Sequence, residues 1–156
     1  MQENQILGVH HGGIAVSNIE QSIAFYSQHL GFTPLGIHVI EQKDNQDLGY
    51  AVFGIEGIKS VKLAFLAIPN SHTVVELLEY EVAGKKKSTA NTFDPGVGHF
   101  CLKVRDVEAM HHRLSEAGVT ILSQGPTILP IGPNMTLKLI YLQDPDGYII
   151  ELIEEL

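Results

Sequence analysis

Residues 11–32, HGGIAVSNIEQSIAFYSQHLGF, and residues 99–119, HFCLKVRDVEAMHHRLSEAGV, follow one pattern when His11 is set on His99. Each has a Val five residues after the His (Val16, Val104), a Glu nine after it (Glu20, Glu108) and a Gly about twenty after it (Gly31, Gly118). A short apolar run gives way in each to a helical spacing that stops near the Gly, so each copy predicts a strand followed by a helix. Ser17 opens an S-x-x-E capping box with Glu20, and Asp106 can cap the second helix, which carries Met110 and Leu114. An internal repeat of this length is the unit from which the fold is built.

Beyond each helix the apolar residues shift to shorter runs with β spacing: VKLAFLAI (61–68) and TVVELLEY (73–80) in the first half, TLKLIYLQ (136–143) and YIIELIEEL (148–156) in the second. A further strand is expected over Leu35–Glu41 and its counterpart over Val119–Leu122. Each half therefore reads β-α-β-β-β, giving an α+β chain of two tandem βαβββ modules. The modules span residues 5–82 and 97–156, joined by a Gly-containing polar linker at 83–96. The punctuated stretch GPTILPIGPN (125–134) reads equally as a connector and as a lid.

Composition narrows the function. The chain has 156 residues, ten Lys and Arg against eighteen Asp and Glu, and a net charge of −8, with 44% hydrophobic residues. It can build a buried core and lacks the basic face that nucleic acid requires; its one basic run is Lys85-Lys86-Lys87. The longest apolar run, Leu63–Ile68, is six residues, far below the roughly 20 needed to cross a bilayer, so no membrane association is expected. The opening MQENQILGVH has neither a basic region nor an apolar stretch of signal-peptide length, which predicts a cytoplasmic protein. The single cysteine, Cys101, excludes an internal disulfide and a thiolate metal cluster.

Strand alternation sorts the repeat residues into two faces. His11, Gly13 and Ala15 share one face, while Gly12, Ile14 and Val16 face the helix. In the same way His99, Cys101 and Lys103 lie opposite Phe100, Leu102 and Val104. In the last strand of each half a single carboxylate interrupts an apolar run: Glu76 in VVELL and Glu151 in IIELI. A lone acid there needs a partner. Two His and two Glu at equivalent points of two repeats become a four-ligand set, His11, Glu76, His99 and Glu151, if the modules pack about a pseudo-twofold axis. Imidazole plus carboxylate suits a divalent ion such as Zn, Ni, Co, Mn or Fe. Leu78, Tyr80, Ile149 and Ile153 share the face of the two Glu, so the pocket is expected to be largely apolar, with Tyr80, Cys101 and Lys103 as candidate substrate contacts.

HHGGIAV, FY followed by HLGF, VVELLEY, VGHFCLKV and DPDGYIIELIE, in this order and spacing, resemble the vicinal oxygen chelate superfamily, which includes glyoxalases, bleomycin-resistance proteins and extradiol dioxygenases. The closing DPDGYIIELIE looks particularly like bacterial glyoxalase I. The resemblance implies paired βαβββ modules forming a curled mixed sheet around a metal cavity, with ligands matching His11, Glu76, His99 and Glu151. It also implies a lyase or isomerase that removes a proton next to a carbonyl, with Glu151 or Glu76 as the base. Glutathione-dependent members carry an Arg four residues after the first metal His and an Asn four residues after the first metal Glu. Here those positions hold Ala15 and Tyr80. Hydrogen bonds to charged groups are worth about 1.5–3 kcal/mol each, so a small, partly apolar substrate other than glutathione is expected.

Three alternatives stay open. An Fe(II) extradiol-type dioxygenase would use His11, His99 and Glu151, and Glu76 argues against it by filling a position that catechol and O₂ need. A metal-free ligand-sequestering protein of the antibiotic-resistance kind would not need the ligand set. A methylmalonyl-CoA epimerase-like enzyme shares a VELLE segment, and Lys85–Lys87 read either as phosphate contacts or as a solvated loop. A homodimer is expected from exposed module edges. His10 is expected to point away from His11, and His111 and His112 to lie on a helix surface. Asp144-Pro145-Asp146-Gly147 is a turn that sets the last strand. No motif guides the loops at about 42–60 and 125–136.

Overall fold

The repeat emerges as two four-stranded mixed sheets with the same strand order. The computed structural model describes residues 5–42 and 48–156, so part of the loop expected at 42–60 lies outside the described residues. In chain order the elements are β1 (His11–Ala15), α1 (Ile19–Leu30), β2 (Thr33–Glu41), α2 (Leu48–Phe53), β3 (Ser60–Ala67), β4 (Val74–Glu81), β5 (Phe100–Lys103), α3 (Val107–Glu116), β6 (Thr127–Pro130), β7 (Thr136–Gln143) and β8 (Ile149–Glu155). The sheets run β1-β4-β3-β2 and β5-β8-β7-β6, both open, within units Met1–Lys85 and Lys86–Leu156. The chain is thus α+β, with two tandem βαβββ modules.

Alternation decides what each helix covers. In the first unit Ile14, Ala64, Leu66, Val75 and Leu77 are buried with Ile19 and Tyr26 of α1, and Tyr26 stacks on Phe32. In the second, Ile140, Leu142, Ile150 and Leu152 are buried with Val107 and Leu114 of α3. Each such aliphatic side chain contributes about 1.5–3 kcal/mol when fully buried.

The helix starts are anchored identically in the two units. The backbone N–H of Ile19 donates to Glu79 Oε2 at 2.8 Å, and that of Val107 donates to Glu154 Oε2 at 3.0 Å. First-turn amides have no partner within the helix, and a carboxylate there also meets the positive end of the helix dipole. A lysine from the neighbouring strand completes each cluster: Lys62 lies 3.5 Å from both Glu20 and Glu79, and Lys138 lies 3.8 Å from Glu108 and 4.0 Å from Glu154. Glu79 first, then Glu20, raises the Lys62 ammonium above its usual value. The strand alternation pointed to Glu76 and Glu151 but not to these second carboxylates three residues later.

Two expectations are corrected here. The cap of α1 is Asn18, whose side chain accepts from the Gln21 N–H at 2.8 Å, rather than Ser17; Asp106 caps α3 as expected, accepting from Ala109. Val119–Leu122 is not a full strand. It makes one bridge, Ile121 to Leu142, and the strand proper is β6, inside the stretch read as a connector or lid. The partner of β7 comes in two pieces because Gly125 and Pro126 interrupt it, Pro lacking the N–H a ladder needs. β2 shows a milder version of this break: its register shifts between Pro34 and Ile37, around Gly36 at φ 125°. Finally, α2 adds a six-residue helix to the first unit that no motif announced.

The turn before β8 is built on a buried acid. Asp144 accepts from the N–H groups of Asp146 at 2.9 Å and Tyr148 at 2.8 Å, while Gly147 takes φ 89°. Among the described residues no helix is long and apolar enough to cross a membrane.

Glu154→Ala should remove the acceptor at the start of α3 and lower stability by about 1–2 kcal/mol. Glu155→Ala, which removes an exposed partner of Lys103, should cost less than about 1 kcal/mol. Urea unfolding followed by circular dichroism measures both, and equal losses would refute the anchoring role of Glu154.

Candidate metal centre

Parallel pairing of the first and last strands of each unit fixes the site-facing residues. In the first unit β1 lies beside β4 with Gly13 opposite Glu76, and in the second β5 lies beside β8 with Cys101 opposite Glu151. The histidine two residues earlier reaches diagonally to the carboxylate. His11 Nε2 is 3.3 Å from Glu76 Oε2, and His99 Nε2 is 3.0 Å from Glu151 Oε2. The carboxylates are mostly covered, at 16% and 12% side-chain exposure, whereas the imidazoles remain 36% and 39% exposed. Each pair is thus held at its base and open at its tip.

The structure brings His11 to Glu76 and His99 to Glu151, as the strand faces predicted. Among the described residues no group of three or more His, Cys, Asp or Glu forms a metal-holding cluster. Each unit offers one nitrogen and one oxygen converging from adjacent strands, donors of the type that suits a divalent transition ion.

The surroundings of the two pairs differ. Beside Glu76 the cross-strand neighbour on β3 is Phe65, whose ring lies edge-on to His11 with centroids 5.8 Å apart. Gly13 leaves the lane open; a Cβ there would lie 3.7 Å from Glu76 Oε2. Beside Glu151 the equivalent β7 neighbour is Tyr141, edge-on to His99 with centroids 5.5 Å apart. The register sets the Tyr141 and Cys101 side chains on either side of Glu151. Burial first, then the adjoining Glu151 carboxylate, pushes each of them up to about 12.

Other expected residues have found partners. Tyr80 packs edge-on against Phe53 of α2, and burial first, then the Glu76 charge, raises its phenol above the usual range. Lys103 pairs with Glu155. His10, expected to point away, meets His11 instead: the two Nδ1 atoms are 2.7 Å apart. The bond is possible because His10 precedes β1 and escapes the alternation of the strand. A second nitrogen held in this way fixes the tautomer of a ligand imidazole. On α3, His112 forms an exposed pair with Glu116 at 3.3 Å, a surface role. Lys85 donates to the Tyr80 carbonyl and Lys87 to the Pro145 carbonyl, so two of the three charges in the basic run brace backbone.

Known proteins agree with this architecture. Residues 8–152 match the model of the Glyoxalase/Bleomycin resistance protein/Dioxygenase superfamily, and the chain belongs to it. It is 28% identical over 157 residues to a probable lactoylglutathione lyase of Vibrio cholerae, covering 99% of this chain and 93% of that one. It is 29% identical over 147 residues to an ethylmalonyl-CoA/methylmalonyl-CoA epimerase of Cereibacter sphaeroides, covering 92% and 95%. A glyoxalase family protein from Bacillus cereus has the same fold, with a TM-score of 0.79 at 23% identity, covering 100% of this chain and 99% of that one.

In metal-free protein at pH 8, Cys101 should react with iodoacetamide about a thousandfold more slowly than an unperturbed thiol, since its thiolate is suppressed by that factor. Glu151→Gln should speed the reaction. Mass spectrometry of timed samples measures the rate, and ordinary thiol reactivity in the wild type would contradict a thiol held protonated by burial and by the Glu151 carboxylate.

Proposed function

We propose that this chain is a divalent-metal-dependent lyase or isomerase of the glyoxalase I type, which moves a proton at a carbon next to a carbonyl on a small, partly apolar substrate. The observation that carries the reading is the repeated pair: in each unit an imidazole Nε2 and a carboxylate Oε2 converge at 3.3 and 3.0 Å from the same strand positions. His11 with Glu76 and His99 with Glu151 are the residues that would hold the ion, one of Zn, Ni, Co, Mn or Fe. When bound, such an ion supplies Lewis-acid polarisation of the substrate carbonyl, which lowers the cost of removing the neighbouring proton.

The rest is the work of this chain's side chains. His11 and His99 would donate Nε2 lone pairs, with His10 holding the other nitrogen of His11. One of the two carboxylates, Glu76 or Glu151, takes the proton from carbon and returns it. Around Glu76 the same face carries Leu63, Leu78 and Tyr80, an apolar surface with the Tyr80 hydroxyl at its margin. Ala15 and Tyr80 stand where glutathione-dependent members carry Arg and Asn, which supports a substrate without the charged tripeptide.

The epimerase relative favours a second reading, proton transfer next to a thioester carbonyl on an acyl-CoA. Lys85 and Lys87 do not strengthen it, because both are engaged by backbone carbonyls.

Metal content per chain, measured by mass spectrometry on protein purified without chelators, tests the main reading. About one ion of Zn, Ni, Co or Mn per site is expected, lost in His99→Ala and weakened in Glu76→Gln. Iron indifferent to Glu76→Gln would point to an extradiol dioxygenase, and no metal after reconstitution would leave a ligand-binding protein. With a substrate in hand, solvent-deuterium exchange at its α-carbon should fall about a hundredfold or more in the Glu→Gln variant of the base.

A further inference from the structure

A one-residue bulge in β2 decides which of its side chains share the face of Glu76. We infer that His38 is a substrate-binding residue at the far end of that face, and that the substrate is a carbonyl compound with a carboxylate about 10 Å from its reacting end and an apolar body between the two. The inference rests on the metal reading proposed above and narrows its substrate.

The strand register carries the placement. Thr33 and Pro34 lie opposite Ala67 and Leu66, and that register continued without a break would set His38 opposite Lys62, on the helix side of the sheet. Instead the pairing shifts by one residue between Pro34 and Ile37, so that Leu35 and Gly36 together answer Phe65 and His38 lies opposite Leu63. Leu63 pairs in turn with Leu78, two residues along the same face of β4 from Glu76. A bulge re-aims the side chains that follow it, and this one is held by Gly36 at φ 125°, a conformation that other residues rarely adopt. The imidazole turns back over that glycine: a Cβ there would lie 3.9 Å from His38 Nε2. In the second unit β6 pairs with β7 without a shift, and the position opposite Leu139 that corresponds to His38 is Thr127, whose hydroxyl donates to the Gly125 carbonyl at 3.3 Å. The bulge and the imidazole thus belong to one copy of the repeat.

What lies between Glu76 and His38 suits an apolar chain. The face crosses β3 at Phe65 and Leu63, both half-buried, with half-buried Leu78 beside them. Neighbouring strands stand about 4.8 Å apart, so two spacings set the imidazole roughly 10 Å from Glu76. His38 is exposed and makes no hydrogen bond or ion pair with another described residue. No Lys or Arg lies on this face of the four strands, so the imidazole is the group left to meet an acid at the end of the apolar floor. A few placed polar groups on an apolar surface are what orient a bound molecule, and an N–H bonds a carboxylate more strongly than a neutral acceptor.

The probes are suberic acid monohydroxamate and octanohydroxamic acid, which share a chelating head and a chain length and differ in the terminal carboxylate. Calorimetric titration into Co²⁺-loaded protein gives the two dissociation constants, and the visible absorption of Co²⁺ reports that the head has reached the ion. The ratio of the acid's constant to the alkyl compound's should rise about fivefold or more in His38→Ala, with the alkyl compound bound as in wild type. In Thr127→Ala the ratio should keep its wild-type value. An unchanged ratio in His38→Ala would overturn the inference while leaving the metal reading intact. Equal weakening of both compounds with a fall in melting temperature would also overturn it, by showing that His38 supports the strand rather than the ligand. Wild type that binds no Co²⁺, or whose bound Co²⁺ answers neither compound, would overturn the metal reading and the inference with it.

Discussion

Everything at the candidate centre follows from parallel pairing between the first and last strands of each unit. Parallel neighbours in register present their side chains to one face at a fixed spacing, so β1 against β4 and β5 against β8 bring a histidine near a glutamate that lies more than fifty residues away in sequence. Connecting parallel strands requires a long crossover, and the intervening helix and two strands provide it. That helix covers one face of the sheet and leaves the polar pair on the other. The same arrangement explains why a carboxylate is tolerated in an apolar strand: Glu76 and Glu151 are each met by an imidazole, while Glu79 and Glu154 are each met by a helix N-terminus and a lysine.

Much of this was legible from the residues because the repeat supplied a check on every assignment. Period-two alternation around His11 and His99 separated the helix-facing Ile14, Phe100 and Leu102 from the site-facing His11, Cys101 and Lys103, and the interrupted runs VVELL and IIELI marked the two carboxylates. Illegible features depended on local geometry or on contacts between distant residues. Ser17 and Asn18 are both good caps, and only the backbone settles which one accepts from the helix. Gly125-Pro126 divides the partner of β7, a break that a reading of apolar runs placed one segment too early. His10 stands just outside the strand, where alternation no longer says which way a side chain turns. The placement of Tyr141 beside Glu151 needed the β7–β8 register, which hydropathy alone cannot supply.

The comparison of the repeats also separates two kinds of position. Toward the helices they are near copies: Glu20 and Glu108, Lys62 and Lys138, Glu79 and Glu154 make the same contacts. Toward the site they differ. Phe65 of the first repeat corresponds to Tyr141 of the second, and Gly13 to Cys101, so the cross-strand neighbours of one carboxylate are apolar and those of the other are polar. The thiol and phenol beside Glu151 are held protonated by burial and by that carboxylate, which keeps them as donors and out of nucleophilic roles.

Because each sheet assigns alternate residues to opposite faces, the stability of this chain and its chemistry are written in separate, interleaved letters of the same strands. A substitution at an even letter of β4, such as Val75 or Leu77, strikes the packed core; one at the next letter, such as Leu78 or Tyr80, alters what a substrate would meet while the fold stands. A chain built in this way can change its substrate in single steps without passing through an unfolded intermediate sequence, which is the property that lets one scaffold be put to many uses.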